Sequence, residues 1–474
     1  LGAVLLILKL PEKSKEIKCK GGYQMSSKVS KILSIVIALV MIAGLAACGS
    51  TSTDKGQPAG GAETAGTQKE EAKKEEGKTT TIKFWTLWTE TVQDANAKAF
   101  WRVLGNYKND LPDIVIEHDA TENEAYKTKI KTAIAANEGP DVFFTWGAGF
   151  LKPFVEAGKV LPLDDYLKDG TADRINPGTT TYFTFDGKTY ALPAYQWVAV
   201  LYCNKELFEK NNVKIPDTYE ELLDAVKAFR AKGISPIAVG EKDRWPGMFW
   251  QNALALRIGG AQLCQDALAK KASFDQPAFV ESAAKLKELV EAKAFIDGNM
   301  GLTNPEADAT FMEGQVPMYY TGNWYAGNIM DESSKVKDKV ICKKFPAVSG
   351  GNGTMDEFLG GSIDGLCVYA DSKEKDTAVR VVKYFAEALA KELNATGAGL
   401  PTWKVEDAPG AQINPITQQI KELIKDAKGY VLAWDTFLEG ADAETHKNLV
   451  AEIFGGAITP EDFAKEMQKL NEKK

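Results

Sequence analysis

The sequence predicts an α/β protein of two lobes with a ligand cleft between them, and three observations predict it. From residue 80 onward, short β-branched and aromatic runs alternate with amphipathic stretches, the pattern of parallel strands joined by helices. The alternation occurs in two blocks along a chain of 474 residues, enough for two or three domain equivalents with ample core. Aromatic residues recur just after the expected strands, where open α/β sheets hold their ligands.

The elements follow in order. Residues 80–89, TTIKFWTLWT, form a strand ending in an aromatic and polar turn, and residues 90–108 a helix. Ile114 to Glu117 (IVIE) is a strand, and Tyr126 to Asn137 a helix with Ile130, Ala133 and Ile134 on one face. Pro140-Asp141 opens the strand Val142–Phe144. Two short apolar runs follow, at Tyr190–Pro193 and Val198–Tyr202, then a helix at Tyr219–Ala231 and a strand at Ser235–Val239. Helices are expected near Phe249–Arg257 and Phe279–Glu291, and apolar segments at Gln315–Tyr320 and Ile363–Tyr369. Thr377 to Lys391 is a long helix with Val381, Val382, Phe385 and Leu389 as its apolar stripe, and the remainder is helical.

The N-terminal part carries a different signal. Lys28 and Lys31 precede the apolar run Ile32–Ala47, which ends in Leu45-Ala46-Ala47-Cys48 and then Gly49-Ser50. A basic start, an apolar core and small residues at its end make an export signal. Its 16 residues fall short of the about 20 that a spanning helix needs. The functional chain is expected to start at Met25, with residues 1–24 the product of an early translation start. Residues 49–80 are mostly Ser, Thr, Gly, Ala, Lys and Glu, with one proline and no aromatic residue, a tether that cannot bury enough surface to fold.

Composition excludes several functions. The 47 residues ahead of Cys48 hold 7 of the basic and 2 of the acidic residues, which leaves 50 basic against 63 acidic and a formal charge of −13. That balance argues against nonspecific nucleic-acid binding. Cys203, Cys264, Cys342 and Cys367 are widely spaced with no CxxC pair. The two histidines, His118 and His446, make no metal-ligand spacing, and there is no phosphate loop of the GxxxxGK[ST] type, no GxSxG and no DxDxDG calcium loop. No cofactor or metal is expected, and the protein is expected to bind rather than catalyse. A glycoside hydrolase would need two carboxylates about 5–10 Å apart, a pairing that spacing cannot exclude.

The positive signal is aromatic. Ten tryptophans is many for this length, and tryptophan is seldom fully buried. Trp85 and Trp88 lie in the first strand and turn, and Trp146 follows the strand at 142–144. Tyr195 and Trp197 follow Pro193, Trp245 and Trp250 flank Pro246-Gly247, and Trp324 follows Gly322-Asn323. Trp403 follows Pro401-Thr402, and Trp434 precedes Asp435. A flat ring covers the C–H face of a pyranose while neighbouring polar groups meet its hydroxyls, a combination typical of small-molecule sites.

Several stretches then carry a resemblance: IKFWTLWT at 82–89, GPDVFFTWG at 139–147, GKTYALPAYQWVAVLYCNKELFEK at 187–210, FMEGQVPMYYTGNWYAGNI at 311–329, GGSIDGLCVYADSKEKDTAVRVVKYF at 360–385 and GLPTWK at 399–404. In this order, over roughly residues 80–470, the sequence resembles the extracellular solute-binding proteins of bacterial ABC transporters, in the carbohydrate-binding group. LAAC followed by Gly-Ser resembles a lipobox, which implies cleavage before Cys48 and a lipid on its thiol. The resemblance implies a periplasmic-binding-protein (Venus flytrap) fold, each lobe a sheet flanked by helices. Crossovers are expected near Tyr190–Tyr195, Met318–Asn323 and Ile363–Ala370. The expected organisation is a signal peptide over 25–47 and a lipidated, tethered segment over 48–79. Lobe one comprises 80–192 and 322–367, and lobe two 193–321 and 368–474. The expected partners are a mono- or oligosaccharide and the permease subunits of an ABC transporter. The protein is expected as a monomer, lipid-anchored on the extracellular face of the cell membrane. The resemblance implies stacking roles for Trp324 and Trp434, polar contacts from Thr86, Thr89 and Glu90, and a crossover position for Tyr195. Trp85, Trp88, Thr145, Trp146, Trp245, Asn323, Ser362, Trp403 and Asp435 complete the expected ligand-binding set. The stretch Thr145-Trp146-Gly147-Ala148 departs from the maltose-binding pattern, with its aromatic displaced by one and no acidic residue following. That leaves sugars other than maltose open.

Overall fold

Alternation of apolar and polar residues makes Thr80–Thr86 a strand, β1, with Ile82 and Phe84 fully buried and Lys83 exposed between them. It opens the first lobe of the computed structural model, which describes residues 79–90, 95–396, 399–405 and 414–472. β2 (Ile114–Ala120) and β3 (Val142–Trp146) lie parallel to β1 on its two sides, joined through the helices Ala95–Asn106 and Asn123–Ala135. A small hairpin follows, β4 (Thr184–Phe185) with β5 (Lys188–Thr189), and then the long strand β6 (Ala191–Asn204). β7 (Ile237–Ala238), β8 (Met318–Gly322), β9 (Val340–Lys343), β10 (Glu357–Val368) and β11 (Gly429–Val431) complete the strands of the described residues. The sheet order is β2-β1-β3-β10-β6-β8-β7, with β11 on β10 and β9 on β6.

β6 joins the lobes because its pairing partner changes along its length. Ala191–Val198 pairs with β10, antiparallel; from Ala199 onward the partners are β8 and, from Leu201, β9. The two runs expected at Tyr190–Pro193 and Val198–Tyr202 are therefore one strand. Its alternate residues face different cores: Ala199, Leu201 and Cys203 enter the main core, and Val198, Val200 and Tyr202 a second one with Tyr319, Tyr325, Ile416 and Ile420. β10 crosses beside it, with register shifts between Gly361 and Gly365. Gly360 adopts φ +153°, and a Cβ there would run into the Trp197 carbonyl, so only glycine lets the two crossing strands approach.

The mixed α/β fold of two domains, with sheets flanked by helices, is the one the sequence predicts. Several pairings bear on how the chain divides between the lobes. β9, within the stretch 322–367 expected in lobe one, pairs with the far half of β6, beside β8. The helix Lys375–Thr396, expected in lobe two, packs on the helix Ala95–Asn106 and on β1 and β3, with the Phe385 ring 5.2 Å from that of Phe84. Beyond it, isolated bridges Gln196–Leu400 and Ile175–Trp403 tie the chain back to the first lobe before the helices Pro415–Ile424, Gly440–Phe454 and Pro460–Glu472. The early start, the signal segment and Cys48 lie outside the described residues, as does all but the last residue of the tether.

Candidate functional site

Strand ends and the turns that follow them open onto a cleft of about 600 Å³. One wall is a cluster of rings from the second lobe and the crossing strand. Trp197 on β6 stacks on Phe249 with centroids 5.3 Å apart and planes 3° apart. Trp324 meets Trp197 edge-on at 5.4 Å, and Trp245 lies 5.0 Å from Phe249 and 6.2 Å from Trp324. From the first lobe come Trp146 and Phe150, 4.9 Å apart and T-shaped. Each arises from a local cause. Tyr195 and Trp197 are two residues apart on a strand and share a face. Trp245 and Phe249 are four apart at the start of the helix Trp245–Gly259, one turn on the same side. Trp324 follows Gly322, the end of β8, in a short 3₁₀ turn.

A charged group closes another part of the cleft. Lys127 Nζ lies 2.8 Å from Glu124, 3.8 Å from Asp435 and 5.1 Å from the centre of the Trp146 ring. Lys447 Nζ, on a residue almost wholly buried, lies 2.9 Å from Glu444 and 3.7 Å from Glu124. Burial alone would lower the Lys127 ammonium, but the carboxylates of Asp435 and Glu124 beside it hold its pKa above the ordinary value. Arg244 donates to Glu444 at 2.8 Å and Asn448 at 2.6 Å. Arg244 takes the left-handed φ of +64°, uncommon for a residue with a Cβ, and it directly precedes Trp245.

The structure brings six of the expected residues to the cleft: Trp88, Trp146, Tyr195, Trp245, Trp324 and Asp435. The others lie off its lining. Trp85 carries Lys129 Nζ 4.4 Å above its ring; Thr89 and Glu90 stay in the turn after β1. Thr86 holds His118 at 2.8 Å, and Thr145 is buried in β3 with its hydroxyl on the Trp146 carbonyl at 2.9 Å. Asn323 accepts from Val198 N at 2.9 Å, and Ser362 donates to the Thr179 carbonyl at 2.9 Å. Trp403 is buried, with its Nε1 donating to the Pro193 carbonyl at 2.8 Å. Trp434 is fully buried against Phe274 and Phe279 and stacks on His446 at 5.0 Å. A strand end or turn tells that a residue sits near the cleft, not which way its side chain faces. Trp197, Phe249, Phe150 and Asn328 line the cleft without having been in the expected set; only Trp197 had a legible signal, its two-residue spacing from Tyr195.

Neither histidine lines the cleft. Burial pushes His118 down to about 4 and His446 down to about 3, so both are neutral at pH 7. The four described cysteines are free and buried, and no group of His, Cys, Asp or Glu among the described residues is arranged to hold a metal. No helix among them is long and apolar enough to cross a membrane.

Known proteins match this chain in sequence and in fold. The profile of the family described as bacterial extracellular solute-binding protein covers residues 85–392. The chain belongs to that family. Among solved structures, this solute-binding protein is similar to one described under xylan utilization by the thermophilic bacterium Caldanaerobius polysaccharolyticus, with 48% identity, 82% of this chain and 99% of that one covered, and a TM-score of 0.79. It is also similar to a chitin oligosaccharide binding protein, with 26% identity, 83% and 98% of the two chains covered, and a TM-score of 0.75. Among curated relatives, the maltotriose-binding protein of Pyrococcus abyssi (strain GE5 / Orsay) is 24% identical over 306 residues, 63% of this chain and 61% of that protein. The match thus spans about three fifths of that relative's length. The family is one of binding proteins, and the cleft is read here as a binding site.

Proposed function

We propose that this solute-binding protein captures a xylan-derived oligosaccharide outside the cell and delivers it to the permease subunits of an ABC transporter. The observation that carries the reading is the aromatic wall of Trp197, Trp245, Phe249 and Trp324 facing a cleft of about 600 Å³. Ring faces cover the apolar faces of sugars, and a cleft of this size is in the range of small-molecule sites. The choice of xylan follows the relative at 48% identity, described under xylan utilization. The ligand favours the closed arrangement by touching both lobes, which shifts the population toward it. The ligand set proposed is Trp88, Trp146, Tyr195, Trp197, Trp245, Phe249, Trp324 and Asp435. Lipidation at Cys48 anchors the protein on the extracellular face of the membrane, and the protein acts as a monomer.

Calorimetric titration against xylobiose, xylotriose and xylotetraose, beside chito-oligosaccharides, maltotriose and monosaccharides, tests the ligand. Micromolar or tighter binding of a xylo-oligosaccharide is expected. Binding of another panel sugar alone overturns the xylan assignment, and silence across the panel from folded protein overturns the sugar reading. Cys48→Ser is expected to release the protein from the membrane fraction; unchanged retention removes the anchor.

A further inference from the structure

Resting on the sugar-binding reading, we infer that Asn328 and Asn123, one from each lobe, are specificity-determining residues whose carboxamides take hydrogen bonds from ring hydroxyls of the bound sugar. Both line the cleft, and in both the Oδ1 atom is shut off from solvent with no hydrogen-bond partner. Asn328 is 6% exposed, so nearly the whole polar side chain is buried in the cleft wall. A buried amide normally finds partners, and one without them is a cost to the fold.

The surroundings sharpen the contrast. Asn304 and Asp308 also line the cleft, but the Tyr319 hydroxyl lies within hydrogen-bond distance of both, 2.9 Å from Asn304 Oδ1, and Asn304 Nδ2 reaches Asp308 at 3.3 Å. Their polar atoms serve the fold. Asn323, on the same turn as Trp324, is tied to β6. Asn328 is tied to nothing among the described residues through its side chain, although its backbone carbonyl caps the turn that follows. Its position relative to Trp324 gives the amide a task. Four residues separate them along a short helical stretch, so the two side chains lie on one side, while Tyr325 between them turns into the second core and donates to the Asp308 carbonyl at 2.7 Å. A sugar lying flat on the Trp324 indole presents its equatorial hydroxyls at the ring's edge, where an in-plane acceptor can read them. Asn123, the first residue of the helix Asn123–Ala135, supplies the matching acceptor from the first lobe. A ligand that satisfies both amides must span the lobes, so recognition and closure are coupled.

The test is calorimetry of Asn328→Leu with xylotriose, beside thermal unfolding of the ligand-free variant. Removing an amide that only the ligand satisfies is expected to raise Kd about tenfold, while the unfolding temperature without ligand stays level or rises, because the buried orphan is gone. An unchanged Kd, or a fall in unfolding temperature with affinity preserved, overturns the inference and assigns Asn328 to the fold. Asn123→Ala is expected to behave likewise; unchanged affinity removes it from the site. Monodeoxy-xylotrioses give a second measurement on the wild-type protein. The analogue that binds the wild type most weakly is expected to lose nothing further on Asn328→Leu, and equal penalties in the two proteins overturn the pairing. If wild-type protein binds no xylo-oligosaccharide but binds another sugar of the panel, the same variants are titrated with that sugar, so the ligand assignment and the roles of the asparagines fail separately.

Discussion

Gly322→Ala perturbs the aromatic wall through a single contact. Gly322 has φ −74° and ψ 163°, extended backbone that alanine adopts without strain. Its carbonyl still accepts from the Tyr202 hydroxyl at 3.0 Å. The added methyl would overlap Cζ3, Cε3 and Cη2 of the Trp324 indole. Carbon pairs settle at about 3.5–4.0 Å, so the ring has to shift by on the order of 1–2 Å. The shift displaces the stacking plane from Trp197 and Trp245, which lie 5.4 and 6.2 Å from it. Overpacking of this kind costs about 1–3 kcal/mol of stability; Trp324 is only partly buried, which favours the lower half of that range. If a sugar stacks as a base does, misplacing the ring costs roughly 1–3 kcal/mol of binding, about fivefold to 150-fold in Kd. The assay is calorimetric titration with xylotriose beside urea unfolding of the ligand-free protein, on Gly322→Ala, Trp324→Ala and the double variant. The methyl acts through the indole, so Gly322→Ala should add no further loss of affinity once Trp324 is alanine. Wild-type affinity in folded Gly322→Ala, or an undiminished penalty in the Trp324→Ala background, would refute the placement of Trp324 as a wall of the site.

Burial separates Trp434 from Trp245. Trp434→Ala should destabilise the protein by about 3–5 kcal/mol in urea unfolding and leave the affinity of the folded fraction near wild type, whereas Trp245→Ala should weaken binding and cost less stability; the reverse pattern would place Trp434 in the site. His446 titrates with a sign that can be worked out. Its folded pKa of about 3 lies below the unfolded value of about 6.5, so its contribution is fully present above pH 6.5 and is lost as pH falls toward 3. Each pH unit in that window costs about 1.4 kcal/mol, so urea unfolding of His446→Gln should show a shallower fall in stability between pH 6.5 and 4.5 than wild type, and an equal slope would mean the imidazole is protonated in the fold. The partly exposed pairs Lys98–Asp331, at 2.5 Å, and Lys152–Glu439 tie segments of the two lobes. Raising the ionic strength from about 0.05 to about 0.5 M should weaken ligand binding a few-fold, at about 0.5–1 kcal/mol per pair, and the Lys98→Ala, Lys152→Ala double variant should lose most of that salt dependence; an unaltered dependence would locate its source elsewhere.

The strand and helix alternation was legible because each period is local. Helix Tyr219–Ala231 begins at the expected residue, with Thr218 accepting from Glu221 N as its cap. The stripe Val381, Val382, Phe385 and Leu389 is buried as read. β6 was not legible as one strand. It is buried on both faces, with a core on each side, so it carries almost no polar alternation, and Pro193 inside it reads as a break. A strand shared by two lobes likewise shows no change of composition where its partner changes. At the site, the count of tryptophans pointed to the cleft but not to which of them faces it. Trp403 and Trp434 follow turns much as Trp324 does, yet their rings enter the core. Phe249 and Phe150 look like ordinary core residues until the stacking of Trp197 and Trp146 gives them a surface. A lone asparagine such as Asn328 has no sequence signal at all; only the absence of a partner for its amide marks it.

The charges in the cleft bear on what kind of solute fits. Lys127 and Lys447 line it, yet each is already held by protein carboxylates, and Arg244 beside them is held by Glu444. At Lys127 and Lys447 a carboxylate or phosphate on the ligand would have to draw the ammonium away from Glu124, Asp435 or Glu444, and breaking a buried pair is costly because it leaves a charge uncompensated. Lys131 is the remaining lysine of the lining; it is exposed and sits with its ammonium 5.0 Å from the Phe150 ring centre. The arrangement therefore suits a neutral ligand, recognised by ring faces and amides rather than by charge. The same pairs also limit closure without ligand. Within a lobe the contacts Lys127–Glu124 and Lys447–Glu444 are 2.8 and 2.9 Å, while those that reach across, Lys127–Asp435 and Lys447–Glu124, are 3.8 and 3.7 Å. Opening would break the two long contacts and leave the two short ones, so Lys127 and Lys447 give closure only a weak preference, and the contacts a sugar makes with both walls add to it.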